Sequence, residues 1–226
     1  MKYIIFIVVS IFFTNGFCQE KPNFNAVDSL YREDQFYLGI TYNNLQNLNT
    51  NIQQGRFTPS YSAGFLRDMP INKKRTFAIA TGIGYSINNY NVNFRITENN
   101  NIINYDIINT AFDKNKLVFH YLDLPIEFRW RNSTPESHKF WRIYTGFKAS
   151  YLVYNYSKFE NGQTTEFIYN NNDLGKFQLG TFLTFGYNTW NFNVYYGLNS
   201  IFKNAKINNS NLNMNTINFG LMFYIL

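Results

Sequence analysis

The sequence contains few of the residues that carry most enzyme chemistry. Among 226 residues there are one cysteine, Cys18, and two histidines, His120 and His138. Removal of a leader that includes Cys18 excludes disulfides and thiol catalysis from the mature chain. Metal-ligand clusters, phosphate-binding glycine loops and dinucleotide motifs are also missing from the sequence. We therefore predict a protein that is not an enzyme and uses no cofactor.

Charge, proline and long apolar runs are scarce as well. Charged residues make up 15% of the chain and prolines number five, whereas aromatic residues reach 20%. After the leader, no apolar run approaches the ~18 uninterrupted residues of a transmembrane helix. Aromatic residues favour a pleated, half-buried surface, and proline disrupts one. The composition therefore predicts an all-β protein.

The first residues have the pattern of a signal peptide. A positively charged start precedes an apolar run, and Gly16 and Cys18 are small residues before a predicted cut at Gln19. Acylation of Cys18 is an alternative, but Phe17 fits poorly with the small residue that lipidation needs before the cysteine. The predicted divisions are a signal peptide over 1–18, a periplasmic segment over 19–34 and an outer-membrane β-barrel over 35–226.

Eight segments alternate between a large apolar residue and a small or polar one. They cover 35–45, 59–69, 75–94, 116–130, 140–157, 176–188, 190–202 and 214–226, and the odd-numbered connections are longer than the even-numbered ones. A soluble sandwich or lipocalin-like barrel would alternate too, but the second face here is rich in glycine, alanine, serine and asparagine. We predict an eight-stranded antiparallel up-and-down transmembrane β-barrel with short periplasmic turns and longer extracellular loops.

Aromatic residues gather beside the predicted short turns. Trp130, Trp141, Tyr187 and Trp190 all fall there, and amphipathic rings collect at membrane–water boundaries. We predict that they form a periplasmic aromatic girdle. The last segment, NFGLMFYIL, matches the terminal strand pattern of outer-membrane barrels, so we expect it to pair with the first strand.

The stretch HYLDLPIEFRWR, residues 120–131, places charges and a proline inside one strand. Alternation sends the apolar residues and Trp130 to lipid and the charges to the lumen. The predicted lumen charge network consists of Asp123, Glu127, Arg129, Arg142 and Lys148, with the two acids facing Arg142 and Lys148. Since unpaired buried ions are costly, we interpret the network as a plug rather than an ion path. At Pro125 we expect a bulge or irregularity.

The net charge of +6 could indicate nucleic acid, but an exported barrel does not meet it. Lys73, Lys74 and Arg75 form a cluster in a predicted periplasmic turn. The expected partners are outer-membrane lipids, lipopolysaccharide and other outer-membrane or periplasmic proteins. Two apolar stretches in the second long loop, NVNFRIT and IINYDIIN, predict a hairpin that projects above the membrane.

Two stretches of the chain resemble the PorT-like family of outer-membrane β-barrel proteins. They are YLDLPIEFRWR, residues 121–131, and IYTGFKASYLV, residues 143–153. The resemblance implies an eight-stranded outer-membrane barrel, and the best-known member of that family serves the type 9 secretion system. We predict a non-enzymatic barrel with a plugged lumen that is an accessory or scaffold subunit of an envelope machine, with type 9 secretion as the candidate. The alternative is an outer-membrane lipid-modifying enzyme that uses His120.

Overall fold

The computed structural model describes residues 32–49, 51–100, 102–132, 140–162 and 164–225. The predicted signal peptide, Cys18 and His138 lie outside this part of the chain. Within it there is no helix long and apolar enough to cross a membrane.

Thirteen strands are present in the described residues. Their bounds are β1 Gln35–Gln46, β2 Pro59–Pro70, β3 Phe77–Asn91, β4 Phe94–Asn99, β5 Ile102–Ile107, β6 Lys114–Arg131, β7 Trp141–Asn161, β8 Thr164–Tyr169, β9 Phe177–Tyr187, β10 Trp190–Gly197, β11 Lys206–Ile207, β12 Ser210–Asn211 and β13 Asn215–Ile225.

Eight of these strands close into one antiparallel barrel. Their order is β6-β3-β2-β1-β13-β10-β9-β7, and the pairing of β6 with β7 completes the circle. The first and last barrel strands pair from Phe36↔Ile225 to Gln46↔Asn215, as the terminal strand pattern predicts. The predicted eight-stranded barrel is therefore confirmed, and each predicted segment corresponds to one barrel strand.

The largest boundary difference is in β10, which ends at Gly197 although its alternation predicts a strand to 202. Beyond this point the side chain of Asn199 replaces the backbone ladder. Its amide donates to the carbonyl of Phe177, and its oxygen accepts from the N–H of Leu179. The chain then turns into the barrel mouth, where Ile201 and Phe202 are buried.

The two ends of the barrel differ in the length of their connections. At the turn end, 71–76 joins β2 to β3, Asn188 and Thr189 join β9 to β10, and 132–140 joins β6 to β7. At the loop end, the connections are 47–58, 92–113, 162–176 and 198–214, and they contain β4, β5, β8, β11 and β12. In outer-membrane barrels the short turns are periplasmic and the long loops extracellular.

The barrel wall separates an apolar exterior from a densely filled interior. Outward side chains such as Phe36 and Phe147 are each 60% exposed, which suits contact with lipid rather than water. Inside, tyrosine rings rest on glycines of the wall. A Cβ at Gly180 would collide with the ring of Tyr195, so the small wall residues make room for large inward ones.

Pro125 lies inside β6 without a register shift. The ladder with β7 runs through it unbroken, whereas the ladder with β3 lacks the pairs of Leu124 and Pro125. The proline carbonyl points to β3, because it accepts a hydrogen bond of 3.1 Å from Thr81 Oγ1. Because proline has no N–H, the ladder hydrogen bonds at this position are lost between β6 and β3 but not between β6 and β7. The expected irregularity is therefore present on the β3 side, but it is not a bulge, since the register shift of β6 lies between His120 and Tyr121.

Candidate functional site

Ionised side chains fill the turn-end half and the middle of the lumen. We call the following eight the lumen charge cluster: Glu33, Asp68, Asp123, Glu127, Arg129, Arg131, Arg142 and Lys148. The cluster contains four carboxylates and four cations, so it has no formal net charge. Neutrality is what a closed, water-poor lumen requires, because each uncompensated buried ion costs several kcal/mol.

Asp68 is the centre of this cluster. Arg131 grips it with two parallel bonds, Nη1 to Oδ1 at 2.8 Å and Nη2 to Oδ2 at 2.7 Å. Arg129 Nη1 adds a third at 3.0 Å, and all three side chains are fully buried. In register, Ala80 of β3 lies between Asp68 and Glu127. Its small side chain leaves room for both arginines to reach across β3.

The second carboxylate at this level belongs to the strand that carries the arginines. Glu127 Oε2 accepts a bond of 2.8 Å from Arg129 Nε. The same guanidinium lies 4.7 Å from the ring centre of Tyr144, a cation–π geometry. Near the mouth, Glu33 Oε1 lies 3.7 Å from Arg131 Nε. The turn end is thus closed by a shared network rather than by isolated pairs.

Arg142 does not face the two acids as predicted. Its guanidinium packs on aromatic rings, 4.6 Å from the centre of Phe140 and 5.3 Å from that of Tyr224. Register explains the difference, because Arg142 lies opposite Arg131 whereas Glu127 lies opposite Gly146. Its Nε and Nη1 find no hydrogen-bond acceptor within the described residues. A planar, weakly hydrated guanidinium tolerates such an aromatic site better than an ammonium would.

The middle of the lumen holds the predicted pair of Asp123 and Lys148. Lys148 Nζ lies 3.5 Å from Asp123 Oδ2 and 4.5 Å from the ring centre of Tyr195. The hydroxyl of Ser150 donates to the other oxygen of Asp123. The cavity beside them measures about 40 Å³, which is room for only a few water molecules at ~10–15 Å³ each. It offers no passage to a solute.

Glu33, Asp68 and Arg131 were not among the residues predicted for the lumen charge network. The alternation of β2 contained a signal for Asp68, since it shares the inward face with Ser60 and Leu66. Arg131 follows Arg129 by two positions on the same face of β6. Glu33 precedes the first strand, and no periodic pattern points to it.

The loop end is closed by apolar side chains instead. We call this second cluster the loop-end cap, and its buried members are Leu45, Ile52, Tyr90, Val92, Phe94, Ile96, Tyr105, Leu117, Phe119, Tyr121, Leu152, Ile168, Leu174, Ile201, Phe202, Ala205, Ile207, Leu212 and Met214. All four long connections contribute to it. The loops therefore fold over the mouth of the barrel and seal it with a core of their own.

Polar contacts tie the loops of the cap together. Tyr105 Oη donates to Asp173 Oδ2 at 3.0 Å and accepts from Asn171 Nδ2 at 2.8 Å. Burial raises the pKa of the Tyr105 hydroxyl, so it remains a donor at all physiological pH values. Nearer the surface, Arg95 of β4 forms an ion pair with Glu166 of β8.

The hairpin predicted in the second loop exists as β4 and β5, but its apolar residues face inward. Phe94 is completely buried, and Ile96 and Tyr105 are nearly so. The predicted hairpin is therefore present, but most of its apolar side chains pack into the cap instead of forming an exposed surface. The apolar residues of the hairpin are drawn into the cap because burial removes them from water. Ile102, at the hairpin tip, remains 64% exposed.

The four residues of the predicted girdle lie together on the exterior at the turn end. Trp130 is 38% exposed, and Trp141, Tyr187 and Trp190 are more so. The rings of Trp141 and Tyr187 are 5.3 Å apart. Rings at this depth suit the boundary between lipid tails and headgroups.

The remaining candidates lie on outer surfaces. His120 is on the exterior face, where its Nδ1 lies 2.8 Å from Tyr85 Oη. Lys73 and Lys74 are exposed in the 71–76 turn. Arg75 adopts a positive φ of 58°, and its carbonyl accepts a bond of 3.1 Å from Arg131 Nε. That turn thus contributes to the closure of the lumen as well as to the basic surface.

Comparison with known proteins agrees with the closed barrel and its lipid-facing exterior. A search of curated proteins finds no match, and a search of solved structures finds none either. The family model described as "Outer membrane protein beta-barrel domain" matches residues 17–203, most of the chain. The protein therefore belongs to the family of outer membrane protein beta-barrel domains.

Proposed function

We propose that this outer-membrane barrel is non-enzymatic and acts as an accessory or scaffold subunit of a larger envelope machine. The observation that supports it is a lumen closed twice, by the lumen charge cluster and by the loop-end cap. A barrel closed in this way moves no solute through its interior. Its interactions are with lipid on the outside and with proteins at the two ends.

The machine that we propose is the type 9 secretion system. The support is the resemblance of residues 121–131 to a strand of the PorT-like family, and this strand carries Arg129 and Arg131 of the charge cluster. In this role the loop-end cap would present a fixed surface to a partner. A surface held by a buried core loses less conformational entropy on binding than mobile loops would.

Affinity purification from gently solubilised outer membranes tests the scaffold role. We expect a stoichiometric envelope protein to be recovered with the barrel, and components of type 9 secretion among the recovered proteins. An equally tagged unrelated outer-membrane barrel is the control. Ile102→Glu, at the exposed hairpin tip, should weaken a partner that docks on the cap. Recovery of the barrel alone would contradict the scaffold role, and a stoichiometric partner from another machine would contradict type 9 secretion only.

Export through a cleaved signal peptide is part of the same proposal. Mass spectrometry of the chain purified from outer membranes should find Gln19 as the first residue. An acylated Cys18 at the amino terminus would replace simple cleavage by lipidation.

The rival proposal is a lipid-modifying enzyme, and the position of His120 beside Tyr85 on the lipid-facing exterior favours it. We expect His120→Ala to leave the lipid A and phospholipid profiles of the cell unchanged at equal barrel abundance. A lipid species lost or gained in this variant would favour the enzyme over the scaffold.

A further inference from the structure

A groove of about 420 Å³ lies on the exterior of the barrel at the loop end, between β6, β7 and β8. Three lysines line it: Lys114 and Lys116 on β6, and Lys158 on β7. Beyond the register shift of β6, these strands continue above the lipid-facing wall and pair from His120↔Tyr154 to Lys114↔Glu160. The groove therefore continues the surface that faces the bilayer.

The height of the lysines places them at the level of lipid headgroups. A strand with a rise of ~3.3 Å per residue and a tilt of ~35–45° gains about 2.5 Å of height per residue. From Trp130 at the turn-end girdle, an apolar band about 25 Å tall ends near His120. Lys116 lies about 10 Å above that level, in the headgroup layer on the extracellular side. The outward residues of β6 between Trp130 and His120, such as Leu124, would contact acyl chains.

The charges in the groove are not balanced. Glu160 Oε1 lies 2.6 Å from Lys158 Nζ, and its other oxygen lies 3.8 Å from Lys114 Nζ. Lys116 has no carboxylate within ion-pair distance among the residues that the structure describes. It also lies directly opposite Lys158 in the ladder, and like charges at such positions repel. A bound anion would relieve this repulsion.

Aromatic rings form the rest of the groove. Tyr154, Tyr156 and Tyr169 line it together with Phe167. The rings of Phe167 and Tyr169 are stacked, with centres 5.8 Å apart and planes 6° from parallel. Exposed flat rings beside cations suit the sugar faces of a phosphorylated glycolipid, and tyrosine hydroxyls suit its polar groups.

We propose that this groove binds the phosphorylated headgroup of an outer-leaflet glycolipid. The phosphate lies against Lys116 and Lys158, the sugar ring against Phe167 and Tyr169, and the acyl chains along the wall below. Ammonium–phosphate contacts are charge-assisted hydrogen bonds. The aromatic rings provide a flat apolar surface for the sugar. The proposal does not depend on the scaffold role.

Titration of the detergent-solubilised full barrel with purified lipopolysaccharide, followed by native mass spectrometry, tests the site. The double variant Lys116→Gln/Lys158→Gln should bind at least about tenfold more weakly. Its resistance to unfolding should change little, because the repulsion between the two lysines and the ion pair of Lys158 with Glu160 are lost together. The charge-matched control is Lys203→Gln/Lys206→Gln, which alters two exposed lysines of the 198–214 loop and should bind like the original chain.

Two further arms identify the ligand chemistry. Dephosphorylated lipopolysaccharide should bind the original chain about as weakly as the phosphorylated form binds the double variant. Inorganic phosphate at the same concentration should not displace the glycolipid. The proposal is overturned if the double variant keeps its affinity, if the control loses as much, if removal of phosphate has no effect, or if inorganic phosphate displaces the glycolipid.

Discussion

The two halves of the lumen are closed by opposite physical means. At the turn end, Asp68 meets Arg129 and Arg131 in a fully buried ionic network. At the loop end, side chains such as Phe94 and Leu212 form an apolar core. An ionic closure depends on every partner and on exact fork geometry. An apolar closure is non-directional and grows with the buried area.

The difference follows from the backbone that each half has available. The charged half is built on paired strands, whose fixed register holds the two arginine forks against one carboxylate. The cap is assembled from four separate connections whose ends lie at different points of the rim. Apolar contacts tolerate variation in the direction from which side chains approach one another, whereas a bidentate ion pair does not. Rigid walls therefore carry the ionic closure, and loops carry the hydrophobic one.

The largest expected effect comes from breaking the ionic closure. Asp68→Asn leaves Arg129 and Arg131 buried with too little negative charge, and we expect a loss of about 3–5 kcal/mol in the free energy of unfolding. Urea titration of the barrel in lipid vesicles measures it. Asp106→Asn, at an exposed acid of β5, is the control and should change stability by less than ~0.5 kcal/mol. A similar small loss for Asp68→Asn would show that the network does not hold the turn end together.

Weakening the apolar closure should have a smaller and more local effect. Leu212, 1% exposed, lies in the cap, and Leu212→Ala should cost about 2–4 kcal/mol through lost burial and a cavity. Limited proteolysis should cleave the 198–214 loop faster while the barrel strands stay protected. The control is Leu198→Ala, whose side chain is 53% exposed on the outside. Unchanged cleavage of the loop would mean that the cap is not a cooperative core.

The smallest effect is expected at the surface of the cap. Arg95 and Glu166 pair there with side chains that are 34% and 43% exposed, so Glu166→Gln should cost only about 0–1 kcal/mol. Raising the salt concentration should abolish this difference from the original chain. The loss in Asp68→Asn should persist at the same salt, because buried charges are screened much less. If both losses respond equally to salt, the turn end is wetter than its burial indicates.

The barrel wall was predictable because alternation is a local property. The inward positions of Asp123, Glu127 and Arg129 follow from the period of two along β6 alone. The tryptophans beside the short turns are equally local signals. The alternation of β2 also predicts that Asp68 points into the lumen, but nothing in the sequence of β2 identifies the partner of that carboxylate.

Pairings across the lumen were not predictable in the same way. The adjoining inward faces of β6 and β7 suggested that Glu127 faces Arg142. The observed register instead places Gly146 opposite Glu127 and Arg131 opposite Arg142. Glu127 is thus four positions away from the residue opposite Arg142, and this register decides that the guanidinium meets aromatic rings rather than a carboxylate. The inward turn of β4 and β5 likewise depends on apolar surface from other loops.

By itself, the sequence determined an eight-stranded barrel and the two faces of its strands, because strand parity does not depend on the neighbouring strands and the small, polar composition of one face identifies the lumen. Only the tertiary structure decided that Asp68 is shared by Arg129 and Arg131 and that four loops converge on one core. It also decided that Lys116 lies opposite Lys158 above the bilayer wall. These contacts depend on register and closure, which join residues far apart in the chain.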